Sequence, residues 1–151
     1  MKPSKQLIQT FLETKKVAIA GVSRDSKKFG AVIFRELKEK GFDVYPINPN
    51  VDKIHGVTCY PSVSALPSDV GSLLIVTPKL QTLSLLREAV IKGFRNIWIQ
   101  QMSETPETIA YAKSQNLNLI MKQCILMHTE PVKGFHKFHR AINRFIGLLP
   151  K

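Results

Sequence analysis

Acid is scarce in this sequence. Eleven Asp and Glu stand against 22 Lys and Arg, for a formal net charge of +11 at pH 7. Such a surface attracts polyanions, whether nucleic acid, anionic lipid or a phosphorylated small molecule, and charge alone does not choose among them. Cysteine is scarcer still: Cys59 and Cys124 lie far apart, with no second Cys or His at metal-ligand spacing. That argues against a disulfide scaffold and leaves two reduced thiols in or near a core. Long apolar runs are missing too, and none approaches the roughly 20 residues that span a bilayer. Met1 to Thr14 is broken by Lys2, Lys5 and Glu13, so no secretory signal is read there. The expectation is a cytoplasmic protein without a transmembrane segment.

What is present is an ordinary globular balance. Apolar residues make up 44% and charged residues 22% of 151 residues, which fits one domain over residues 1–151. The apolar blocks alternate in kind. Val17-Ala18-Ile19-Ala20 is a continuous apolar run ending at Gly21, the pattern of a strand buried on both faces. Gly30, Ile33, Phe34 and Leu37 follow helical spacing up to Gly41. Further strands are read at Phe42–Ile47, Ser72–Val76, Asn96–Gln100 and Leu117–Met121. Thr77-Pro78 and Thr105-Pro106 each offer an N-cap followed by a proline suited to the first helical position. Ser4–Thr14 and Val132–Leu149 read as extra helices at the two ends, and Asn50–Asp69 as a loop with at most a short helix.

Buried strands alternating with helices imply an α/β fold. The expected architecture is Rossmann-like and doubly wound: a mostly parallel five-stranded sheet, order 3-2-1-4-5, with helices on both faces. Ligands of such sheets bind at the carboxyl ends of the strands, beside the first one. There the chain reads Gly21-Val22-Ser23-Arg24-Asp25-Ser26-Lys27-Lys28-Phe29-Gly30. Glycine lets the backbone leave the strand, the serines supply hydroxyls, and a helix start with nearby cations suits phosphate. Two nicotinamide-site features are absent. Ser23 and Ser26 stand where the dinucleotide fingerprint has its second and third glycines, and Ile47-Asn48-Pro49 stands where a ribose-binding acid is expected. No P-loop lysine pattern occurs either. Asn48-Pro49 and Thr77-Pro78 mark two more strand ends on the same side.

Four segments in this order resemble one family. Gly21-Val22-Ser23 through Lys28-x-Gly30, then Tyr45-Pro46-Ile47-Asn48-Pro49, Val76-Thr77-Pro78 and Ile97-Trp98-Ile99-Gln100 are similar to the small stand-alone CoA-binding domain proteins. These in turn are similar to the CoA-binding domain of the succinyl-CoA synthetase alpha subunit. The likeness runs from about Lys15 to Cys124 and departs after Cys124, where a Glu-His pair is replaced by Met127-His128 and a longer tail. The resemblance implies coenzyme A or an acyl-CoA as ligand. It implies contacts from Gly21, Val22, Ser23, Lys28 and Gly30 at the phosphate and ribose end. Asn48, Pro49, Thr77 and Pro78 would line the cleft, with Gln100 a further candidate and Arg24 an added charge.

No nucleophile elbow or acid–base pair is read. The four histidines are His55, His128, His136 and His139, without a third ligand at metal spacing, so no metal site and no catalytic residue are assigned. A binding protein is expected rather than an enzyme. An NADP- or other nucleotide-dependent enzyme of the same fold remains open. So does nucleic-acid binding through residues 131–151, which hold Lys133, Lys137, Arg140, Arg144 and Lys151 and no acid. There Phe135, Phe138, Ile142 and Phe145 form one apolar helical stripe, suited to docking on the domain, a second subunit or a partner protein.

Overall fold

A computed structural model describes residues 2–131. The expected C-terminal helix, its aromatic stripe and basic residues, and His136 and His139 lie outside the described residues.

The chain opens with α1 (Lys5–Glu13), where the Ser4 side chain accepts a hydrogen bond from Leu7 N. It continues through β1 (Lys16–Ala20), α2 (Phe29–Glu39) and β2 (Asp43–Ile47). A two-residue hairpin follows, β3 (Lys53–Ile54) and β4 (Val57–Thr58), inside the segment expected to be a loop. Then come β5 (Ser72–Ile75), α3 (Lys79–Lys92), β6 (Asn96–Gln100), α4 (Pro106–Ser114) and β7 (Asn118–Gln123), and a 3-10 turn at Ile125–Met127. No helix among the described residues is long and apolar enough to cross a membrane.

The main sheet is parallel, five-stranded and Rossmann-like, with the order β2-β1-β5-β6-β7. Alternate residues of each strand feed two cores. Val17, Ile19, Leu74 and Trp98 face the core that α1 and α2 cover with Ile8, Phe11, Ile33, Phe34 and Leu37. Ala18, Ala20, Leu73, Ile75, Ile97 and Ile99 face the other core, with Leu86 and Ala89 of α3 and Ala112 of α4. Burial on both faces is why the middle strands carry the unbroken apolar runs Val17–Ala20, Leu73–Ile75 and Ile97–Ile99.

The strand order corrects the expected one. Numbering only the five main strands, the order is 2-1-3-4-5 and not 3-2-1-4-5. The reason sits on the outer edge of β2. Pro46 O accepts from Tyr60 N and Asn48 N donates to Tyr60 O, so these two residues present their backbone groups outward. Proline has no N–H, and its missing donor is tolerated on an edge but breaks a ladder. Tyr60 also occupies that edge through its bridge to Ile47. The third main strand therefore crosses back and pairs with β1, Val17 opposite Ser72 and Ala20 opposite Ile75.

Candidate functional site

In this order the chain direction reverses at β1, which has β2 on one side and β5 on the other. A crevice opens at the carboxyl ends of strands at such a switch point. Two glycines determine how tightly it is built. Gly21 has φ +102°, and a Cβ on it would lie 2.8 Å from the carbonyl carbon and oxygen of Val76. A Cβ on Gly30 would lie 2.1 Å from Gly21 O. The end of β1, the first turn of α2 and the chain leaving β5 therefore pack backbone against backbone.

The connecting loop is held by its own polar groups. Ser23 Oγ accepts from Asp25 N at 3.1 Å, and Asp25 Oδ1 accepts from Lys27 N at 3.0 Å. The one acid of the loop is thus turned to its own backbone, while Ser23 keeps a hydroxyl proton to donate. Asn48 ties the end of β2 to this loop: its Nδ2 donates to Val22 O at 2.9 Å, and its Oδ1 accepts from Asn50 N at 2.9 Å. An acid here would lack the amide donor and present a carboxylate to a carbonyl.

The helix starts divide by position. Lys28 is the N-cap of α2 and Pro78 that of α3, and neither makes a side-chain cap hydrogen bond. Both line the cleft. Away from it, Ser4 caps α1 and Thr105 caps α4 through their side chains. Uncapped first-turn amides carry partial positive charge and suit an anion. Thr77 is therefore not the N-cap expected from Thr77-Pro78. It is buried, with Oγ1 3.4 Å from Thr82 Oγ1, and Pro78 takes the cap position with extended ψ.

Gly21, Val22, Ser23, Lys28, Gly30, Asn48, Pro49, Thr77 and Pro78 all line one cleft of about 840 Å³. That lies in the size range of small-molecule sites, roughly 300–1,000 Å³. Arg24 is exposed and is not among the lining residues. Gln100 is not brought into the cleft. It is 2% exposed, and its Oε1 accepts from Ile125 N at 3.2 Å, which anchors the turn after β7. Its neighbour Trp98 is also structural, with Nε1 donating to Gln123 O at 3.0 Å and its ring edge-on to Phe11.

Sequence reading missed one wall. Phe29 lines the cleft beside Lys28, as do Ser62 and a row on α3 including Gln81, Ser84 and Glu88. Phe29 carried a signal, an aromatic between a cation and a glycine at a helix start. Glu88 carried none, because its role is set by a distant partner: Oε1 accepts from both Ser64 N and Ser64 Oγ at 2.9 Å. Both thiols are buried, and burial pushes the Cys59 and Cys124 pKa values up, Asp52 adding to the effect at Cys59. Neither is an activated thiolate. No group of three or more His, Cys, Asp or Glu suited to a metal ion occurs among the described residues.

Residues 15–130 match the model of a family described as "CoA binding domain". The chain belongs to this CoA-binding domain family. Over 135 residues it is 30% identical to the alpha subunit of an ADP-forming acetate–CoA ligase II from Pyrococcus furiosus, a match covering 82% of this chain and 30% of that protein. The chain thus spans less than a third of that curated relative. Among solved structures, a conserved hypothetical protein from Pyrococcus furiosus is 37% identical, with TM-score 0.73, covering 76% of this chain and 98% of the other. A hypothetical protein from Pyrococcus horikoshii is 26% identical, with TM-score 0.79, covering 89% of this chain and 98% of the other. Three of the four segments on which the family resemblance rested, the Gly21–Gly30 turn, Asn48-Pro49 and Val76-Thr77-Pro78, come together in the cleft. The fourth, Trp98-x-Gln100, serves the fold instead.

Proposed function

We propose that the strand-end cleft binds coenzyme A or an acyl-CoA, and that this chain binds its ligand without transforming it. The observation that carries the reading is the contact between Gly30 and Gly21 O. It sets the uncapped, Lys28-headed start of α2 inside a cleft of about 840 Å³. In this reading Ser23, Lys28 and the first turn of α2 hold the phosphates, with Arg24 adding charge from the exposed loop. Pro49, Thr77 and Pro78 wall the rest, and Asn48 holds the loop in shape. Family membership supports coenzyme A as the ligand class.

Calorimetric titration of the full chain with CoA, acetyl-CoA, NAD and NADP tests this. Saturable binding of CoA or acetyl-CoA is expected, with NAD and NADP at least tenfold weaker. A Ser23→Ala/Lys28→Ala double substitution is expected to weaken CoA binding at least tenfold. NADP binding tighter than CoA would transfer the site to a nucleotide-dependent enzyme. Absence of saturable binding by any of the four would remove the reading.

A further inference from the structure

Helix α3 has a second face that the cleft does not use. Its inward side buries Thr82, Leu86 and Ala89, and one flank lines the cleft. On the outward side Leu80 is 95% and Ile91 86% exposed. Eleven residues apart, these two lie within about 20° of each other around a helix and roughly 16 Å apart along it. The space between them is not empty. Leu83 and Val90 are half-buried, and with Arg87 they complete a 3-4-3 spacing, Leu80, Leu83, Arg87, Val90. That is the spacing with which one helix receives another.

We infer that this outer face of α3 is a docking seam for an acidic amphipathic helix of a partner protein. The charges around the seam select the occupant. Lys79 borders it, and Arg87 stands in its middle with its guanidinium 5.5 Å from the Tyr111 ring centre, whereas Lys92 turns to the other flank and donates to Ser64 O. A second copy of this chain is disfavoured. Parallel pairing would set Arg87 against Arg87, and either orientation would bring together two chains of net charge +11. Residues 131–151 of the same chain carry five cations and no acid, the wrong sign again. A lipid surface does not suit the face, because a guanidinium at its centre would have to enter with the leucines. A helix with apolar residues at 3-4 spacing and carboxylates beside them satisfies both features, since it covers Leu80 and Ile91 and pairs with Arg87. The seam and the cleft share α3, so a helix docked there lies beside the cleft mouth.

The test is an NMR titration of the full-length, isotope-labelled protein with a synthetic 20-residue amphipathic helix carrying Leu at 3-4 spacing and flanking Glu. A control peptide carries Lys in place of Glu. Saturable shifts confined to α3 and its neighbour α4 are expected with the Glu peptide and not with the Lys peptide. Leu80→Asp/Ile91→Asp should abolish them with an unchanged melting temperature, since both side chains are exposed. Arg87→Glu should weaken the Glu peptide at least tenfold and give binding to the Lys peptide. The proposal fails if neither peptide shifts α3, or if both bind equally. It also fails if sedimentation shows a dimer that the double variant dissolves, or if the wild type alone binds anionic phospholipid vesicles. None of these readouts depends on coenzyme A.

Discussion

The turns after β1 and β6 perform the same step, strand into helix, in opposite ways. After β1 the chain opens at Gly21 and delivers α2 uncapped to the cleft. After β6 it turns back through Ser103 N to Gln100 O and starts α4 under Thr105, whose Oγ1 accepts from Thr108 N at 3.1 Å. One helix start is left unsatisfied by its own side chains and the other is closed. An open start is tolerated where solvent or a ligand completes it. Under the proposed function, the difference separates a binding turn from a structural one in a sheet whose five strands all run the same way.

The largest effect should come from removing the close approach. Gly30→Ala sets a methyl 2.1 Å from Gly21 O, a backbone atom that cannot rotate away. A loss of about 3 kcal/mol is expected, at the upper end of overpacking effects, and is measured by urea unfolding. An unchanged unfolding midpoint would mean that the turn opens readily. Next, the open start can be closed on purpose. Lys28→Asp supplies a capping carboxylate and removes a cation, so stability should hold or rise while CoA affinity falls at least tenfold, about 1.4 kcal/mol. The mirror change, Thr105→Ala, should cost about 1 kcal/mol of stability and leave the CoA affinity untouched. If it alters binding as much as Lys28→Asp does, the two turns are not functionally distinct.

The smallest effect concerns the opposite end of the sheet. Lys16 at the start of β1 pairs with Asp69, and the partner's hydrogen bond and charge lower the Asp69 pKa and raise that of Lys16. A lowered Asp69 pKa means that its contribution is present above the unfolded carboxylate pKa and lost as pH falls through the folded value. A raised Lys16 pKa means that its contribution is full below the unfolded lysine pKa of 10.5 and lost as pH rises through the folded value. Both groups are exposed, so Asp69→Asn should only slightly flatten the fall in melting temperature below pH 4. Ligand affinity at neutral pH should not change.

Much of this was legible in the residues. Apolar runs at 17–20 and 73–76 mark buried strands, and Thr105-Pro106 marks a helix start that the structure keeps. The parallel Thr77-Pro78 was misleading, because a threonine before a proline can cap a helix or turn inward, and here burial against Thr82 wins. The strand order was written in Pro46, an edge-strand signal that reads equally well as a mere strand boundary until its carbonyl is seen to face Tyr60. Gln100 was a cleft candidate only through the family resemblance of the Trp98-x-Gln100 segment. Its side chain is spent on Ile125 N, a partner 25 residues away that no local pattern reveals.

The sequence by itself determined the alternation of strands and helices, the glycine-opened basic turn and the absence of an acid after β2, because these follow from local spacing and residue chemistry. Only the tertiary structure decided which side of β1 receives β5, which helix starts stay uncapped, and that Glu88 and Phe29 join the cleft. Each of those depends on what two distant stretches of backbone can satisfy when they meet. A chain read one residue after another does not contain that meeting.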